Sequence, residues 1–142
     1  MGMASEAIAV VLANSEAFSR MDVDRMMELY APDAVVVDRR RVSMGTFRGH
    51  DELRAYYLSI FHSASEMHEE LRVLGERGEI VVADCELRGR LAGAPVGAAD
   101  VVVPYGLVMR VVDGKIVHLD LHESGEDALA AHNEEGDPEG QL

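Results

Sequence analysis

The sequence predicts a single α+β domain. Helical periodicity is confined to roughly the first sixty residues, strand-like alternation fills the stretch from residue 66 to 123, and no segment repeats. A chain of 142 residues is long enough to bury one core without disulfides or metals, and its 48% hydrophobic content fits a globular chain.

From Ser5 to Arg20 the residues Ile8, Val11, Leu12, Ser15 and Phe18 recur at helical spacing, which predicts an amphipathic first helix. Asp22 can cap a short second helix, Val23 to Tyr30, whose face of Val23, Met26, Met27 and Tyr30 is apolar and which Pro32 ends. The β-branched run from Ala34 to Val37 reads as a buried strand that terminates on a carboxylate, Asp38. After three consecutive arginines and a turn at Gly45, Gly49 opens a third helix with Leu53, Tyr56, Tyr57, Ile60 and Phe61 on its apolar side, placed to close a pocket.

Four strands follow: Glu66 to Leu74, Glu79 to Leu91, Asp100 to Val112 and Lys115 to Glu123. A turn at Gly75 to Gly78, a Gly/Ala/Pro loop and an Asp113-Gly114 hairpin separate them. One antiparallel sheet is expected, with a domain spanning residues 1–123. The acidic stretch 124–142 reads as a frayed helical turn and a flexible tail.

Charge excludes several partners. With 26 acidic and 13 basic residues the net charge is −13, so nucleic acid and anionic membrane surfaces are repelled. The N-terminal stretch has neither a basic start nor a continuous apolar run, and nothing reaches the ~18 apolar residues of a membrane span. A cytoplasmic protein is expected. Cys85 stands alone and is expected to be a small buried residue.

Three stretches carry a resemblance: MDVDRMMELYAPDAVVVD, GTFRGHDELRAYY and VPYGLVMRVVDGKIVHLDLHES. They are similar to the SnoaL-like branch of the NTF2-like superfamily over roughly residues 5 to 123. That superfamily includes ketosteroid isomerases, polyketide cyclases, limonene-type epoxide hydrolases and polyether epoxide-opening cyclases. The resemblance implies an NTF2-like (cystatin-like) cone, a curved sheet wrapped around three helices to leave one internal pocket. It also implies a homodimer. The same fold hosts many chemistries, so function rests on the site.

The resemblance places Asp38 at the cavity wall, where ketosteroid isomerases hold their general base. The two donors that stabilise a dienolate in those enzymes are replaced here by Asn14 and Leu107. One such donor is worth ~3 to 4 kcal/mol, so a standard ketosteroid isomerase is disfavoured. Polyether epoxide-opening enzymes pair an aspartate on the first strand with a glutamate near the position of Glu66. Glu69 is the alternative if the alignment slips.

Two carboxyl groups in opposite protonation states can open an epoxide without metal or cofactor, one as base and one as acid. The expected catalytic pair is therefore Asp38 and Glu66, with Tyr105 adding a hydrogen bond and Asn14, Leu107, Met109 and Phe61 contacting a largely apolar substrate. Other readings stay open. Asp38 could simply pair with Arg39 or Arg40, Glu66 could be a solvated loop acid, and Tyr105 could bond a backbone carbonyl.

Strand alternation sets Val81, Ala83, Cys85 and Leu87 on one face and turns Asp84 and Glu86 outward, whereas the family alignment turns both acids inward. On the last strand Leu119 and Leu121 should face the cavity and His118, Asp120 and His122 should form a solvated face. His62 and His68 could line the pocket mouth. None of these histidines has metal-ligand spacing. The expected activity is opening of an epoxide by ring closure or hydrolysis. The alternatives are an isomerase or polyketide cyclase using Asp38 alone, and a non-catalytic carrier of an apolar ligand.

Overall fold

The computed structural model describes residues 5–135. Ser5 caps α1 (Glu6–Ser19), its hydroxyl accepting the Ile8 N–H at 3.0 Å. Asp22 caps α2 (Val23–Leu29) in the same way through the Arg25 N–H. These side chains satisfy amides that a helix start leaves unpaired.

The second helix ends one residue earlier than its apolar face suggests, because Tyr30 already belongs to strand β1 (Tyr30–Asp38). Pro32 restricts Ala31 to extended geometry and contributes no donor of its own. The pairing register accordingly shifts between Tyr30 and Val35. A short strand that the turn signals around Gly45 conceal, β2 (Gly45–Arg48), pairs back on the end of β1. It leads directly into α3 (Gly49–His62), where Glu52 reaches back to accept the Arg48 N–H at 2.8 Å.

Strands β3 (Ala64–Arg77), β4 (Ile80–Leu91), β5 (Val101–Val112) and β6 (Lys115–His122) form a meander. Asp113 and Gly114 both take positive φ, 52° and 75°, as a two-residue hairpin of the expected kind requires. The sheet order is β2-β1-β6-β5-β4-β3. It is mixed rather than wholly antiparallel, since β1 runs parallel to β6. The connection from β1 to β6 runs through β2, α3 and strands β3 to β5, and a parallel neighbour needs such a long crossover, which no hairpin supplies.

Helices α1 to α3 pack on the concave face. Val11, Met26, Leu53, Val36, Met109 and Ile116 are fully enclosed there or beside it. The opposite face carries a fourth helix, α4 (Gly125–Glu135), over β4 and β5. Residues 125–135 are thus ordered, contrary to the flexible tail expected from their polar composition. Ala128 is fully buried and His132 is 7% exposed, so a few small contacts anchor an otherwise acidic helix. The remainder of the expected tail, residues 136–142, lies outside the described residues.

Close approach explains the docking of α4. A side chain at Gly106 would place its Cβ 2.1 Å from the Ser124 carbonyl oxygen, and one at Gly125 would meet the Asp84 carboxylate at 2.6 Å. Only glycine at both positions lets the chain turn this tightly against the sheet. No helix among the described residues is long and apolar enough to cross a membrane.

Candidate active site

Between the helices and the concave face lies a cavity of about 340 Å³. Its body is apolar: Phe18, Met26 and Ile60 from the helices face Leu107, Leu119 and Leu121 from the sheet. Polar side chains also reach its wall: Ser43 and Tyr56 are bonded to Asp38 and Tyr57 to Tyr30, while Arg40, Glu69, Asn14 and Tyr105 are the ones best placed to do chemistry or orient a ligand.

Asp38 ends β1 with its side chain fully buried. Two of the three arginines that follow are held in place: Arg39 is tied to β6 through the Leu121 carbonyl, and the Arg41 N–H bonds Glu123. This pinned turn folds Arg40 back onto Asp38. Its Nε donates to Oδ1 at 2.9 Å and its Nη2 to Oδ2 at 2.8 Å, a bidentate fork. The Arg40 amide, the Ser43 hydroxyl and the Tyr56 hydroxyl complete five hydrogen bonds on one carboxylate.

Burial by itself would raise the Asp38 pKa, but the Arg40 guanidinium, Ser43 and Tyr56 outweigh it and hold the group below the usual carboxylate range. Asp38 is not itself on the cavity wall. The pairing with Arg40 is the simpler of the two sequence readings, and its product is a fixed guanidinium. Arg40 lines the cavity with its Cζ 5.0 Å above the centre of the Tyr105 ring, a cation–π contact that fixes its plane from below.

Glu69 sits on β3 with 8% exposure. Its backbone N–H donates to the Ser19 hydroxyl at 2.8 Å, which ties this part of the strand to the end of α1. Burial is the largest influence on its carboxyl. The Ser15 hydroxyl and the charge of Arg40 offset only part of it, and the pKa is raised to about 7. The cavity wall therefore carries one carboxyl poised to gain or lose a proton near neutrality.

Glu66 is placed differently. It lies three residues earlier on β3 with its side chain 69% exposed, 3.9 Å from Arg90 on the sheet surface. The expected Asp38 and Glu66 pair is not brought together, since alternation puts the two on opposite sides of the sheet. Glu69 was identifiable in retrospect: it is the single acid in the period-two set Met67, Glu69, Leu71 and Val73, whose other members are apolar. Arg40 is one of the two partners the sequence offers Asp38, but nothing in the local pattern marks Ser43 and Tyr56 as joining it, because they meet only after the turn closes onto α3.

Tyr105 and Leu107 line the cavity as expected, but the phenol that bonds Asp38 is Tyr56 on α3, not Tyr105. Met109 and Phe61 are buried, yet neither is on the cavity wall. Met109 is fully enclosed core, and Phe61 packs its ring against Phe18 and Tyr57. Asn14 does line the cavity, 7% exposed, and its Oδ1 accepts no hydrogen bond among the described residues.

The strand-register conflict resolves in favour of hydrophobic alternation. Val81, Ala83 and Cys85 are buried toward the helices, while Asp84 and Glu86 face outward and pair with Arg72 and Arg88 at 3.1 and 3.0 Å. Cys85 is a free buried thiol, its pKa pushed up by burial. Asp120 faces away from the cavity as expected but is not solvated: it is 8% exposed, bonded by Arg39 at 2.9 Å and close to His118. His62 and His68 are exposed and stand off the cavity wall. Among the described residues no cluster of His, Cys, Asp or Glu could hold a metal ion.

The same architecture recurs in solved structures. An NTF2-like protein of unknown function from Burkholderia pseudomallei K96243 superposes with a TM-score of 0.70 at 23% identity, covering 89% of this chain and 97% of its own. TerC, crystallised with polyporic acid, gives a TM-score of 0.70 at 19% identity over 91% of this chain and 97% of its own. A protein from Xanthomonas campestris pv. campestris, provisionally named a polyketide cyclase, gives 0.65 at 22% identity over 88% and 95%. At such identities these likenesses establish the fold. Comparison with curated proteins gave no significant match. The SnoaL-like domain family matches residues 11–119, most of the chain and both walls of the cavity, and the protein belongs to that family.

Proposed function

We propose that this protein is a cofactor-independent acid-base enzyme that moves a proton on a small, oxygenated, largely apolar compound. Glu69 acts as the base and Arg40 as the stabiliser of the oxygen that gains negative charge. The observation that carries this reading is a buried carboxyl with a pKa of about 7 on the wall of an apolar cavity that also holds a clamped guanidinium. A base works best when its pKa lies near the working pH, and a fixed cation in a water-poor site stabilises developing charge without reorganising. Asp38, saturated by five hydrogen bonds, is the positioning residue that sets Arg40 rather than the base itself.

The reaction class that fits is proton abstraction beside a carbonyl, leading to isomerisation or aldol-type ring closure. Neighbours provisionally named polyketide cyclases agree with it. The test is deuterium exchange into 1-tetralone, followed by NMR in heavy water. Wild type should accelerate exchange, with a rate that rises through about pH 7, and Glu69→Gln should lower that rate about 10²- to 10⁴-fold while leaving binding of the ketone intact. Equal exchange by both proteins would remove Glu69 from the mechanism.

Epoxide opening remains a second reading, because a carboxyl near half-protonation can also deliver a proton to a departing oxygen or take one from an attacking hydroxyl. A hydroxy-epoxide incubated in isotopically heavy water separates the outcomes. An isomer of unchanged mass indicates ring closure, and gain of one labelled water indicates hydrolysis. A carrier would return every compound unchanged.

A further inference from the structure

Asn14 is not used by this mechanism, yet its placement is specific. It is carried by α1, is 7% exposed, lines the cavity, and holds an Oδ1 that accepts nothing among the described residues. Its amide lies beside the Tyr30 hydroxyl, which is already engaged with the Tyr57 hydroxyl at 2.7 Å. A buried acceptor without a donor is costly, and native structures rarely keep one unless something completes it. Of the surrounding wall, Phe18 and Met26 carry no donor and the Tyr57 hydroxyl is engaged with Tyr30.

On a different wall stands Arg40, brought in by the turn after β1. Its Nε and Nη2 each donate to Asp38 and the guanidinium also engages the Tyr56 hydroxyl, which leaves two of its five N–H groups to meet a ligand. Neighbouring Val42 lines the same cavity and is 93% exposed, so Arg40 lies near the mouth and Asn14 inside. The cavity thus presents an acceptor and a donor separated by apolar walls.

We infer that the ligand is a hydroxylated one- or two-ring compound that donates a hydroxyl hydrogen to Asn14 and accepts from Arg40 through a carbonyl or carboxylate oxygen. This rests on the reading of the cavity as the reaction site, and it adds the substrate class. The volume, about 340 Å³, sits at the small end of the ~300–1,000 Å³ range of ligand pockets, which favours one or two rings over a larger skeleton. A site built to bond a hydroxyl rejects an analogue lacking it far more strongly than an apolar pocket rejects a missing methylene.

Equilibrium binding tests this without requiring turnover. Titrations at pH 6, where Glu69 is mostly protonated, would compare 5-, 6- and 7-hydroxy-2-naphthoate with 2-naphthoate, each followed by naphthalene fluorescence. At least one hydroxylated isomer should bind about tenfold tighter than 2-naphthoate. Asn14→Leu and Asn14→Ala should erase that gain while leaving 2-naphthoate affinity unchanged, which also shows that the variants are folded. The double variant Asp38→Asn/Arg40→Met, which leaves no lone buried charge, should lose the preference for the acid over its methyl ester.

A gain that survives both Asn14 variants overturns the assignment, as does equal binding of all the naphthoates or binding of none. Glu69→Gln should keep the hydroxyl preference. If it does while 1-tetralone exchange is also unaffected, the ligand class stands and the catalytic reading falls.

Discussion

Two buried carboxyls serve the same cavity, and the chain treats them in opposite ways. At the end of β1, Asp38 receives five hydrogen bonds and is held ionised below the usual carboxylate range. On β3, Glu69 is about as well buried but has Ser15 as its main donor, and its pKa rises to about 7. Burial penalises both charges. The number of donors aimed at each decides which one stays an anion and which titrates near neutrality. The comparison separates an acid that fixes a guanidinium from one that is left under-solvated.

The largest way to break this contrast is to remove the clamp. Asp38→Asn leaves Arg40, whose side chain is only 14% exposed, without its counter-charge, and should cost about 3–5 kcal/mol in denaturant melts. Asp38→Asn/Arg40→Met should recover most of that loss. If the single variant melts within about 1 kcal/mol of wild type, the clamp is not what holds the turn.

Glu69 should act on stability in the opposite direction. Its folded pKa lies above the ordinary value of 4.5, so the native state binds the extra proton. Stability is therefore highest while the group is protonated in both states and falls as pH rises from about 4.5 to about 7. Glu69→Gln removes this penalty. It should match wild type near pH 4 and exceed it by up to about 3 kcal/mol at pH 8. A stability gap that does not change with pH would mean that Glu69 titrates like a surface acid. Asp38 gives the complementary limb: its contribution is present above the ordinary carboxylate pKa and disappears as pH falls through its lowered folded value.

A smaller effect tests the opposite face of the sheet. Gly106→Ala would push a methyl into the Ser124 backbone, and displacing α4 should cost about 1–3 kcal/mol, with faster amide exchange confined to residues 125–135. Smallest of all, Glu66→Gln should change both stability and turnover negligibly, within ~0.5 kcal/mol, because its side chain is solvated. A large loss of activity there would restore the Asp38 and Glu66 pair.

These outcomes also show where reading the sequence succeeds. The helix cap at Asp22, the Asp113-Gly114 hairpin and the outward turn of Asp84 and Glu86 follow from residues close together in the chain. That Leu119 and Leu121 face the cavity follows from alternation, and that Leu107 does follows from the family resemblance. The inward place of Glu69 and the outward place of Glu66 follow from the same period-two rule applied to β3.

What the sequence determined by itself was the order of α1 to α3, β1 and the four-strand meander and the faces of most strands, because periodicity and turn chemistry are local; the pocket came from the family resemblance. Tertiary structure alone decided the rest. It paired β1 in parallel with β6, docked an acidic C-terminal helix through two glycines, and folded Arg40 onto Asp38 under Tyr56. Each of these joins residues distant in the chain or turns on how a side chain folds back. Whether a carboxyl is a clamp or a base depends on the donors and the water that the assembled fold leaves around it.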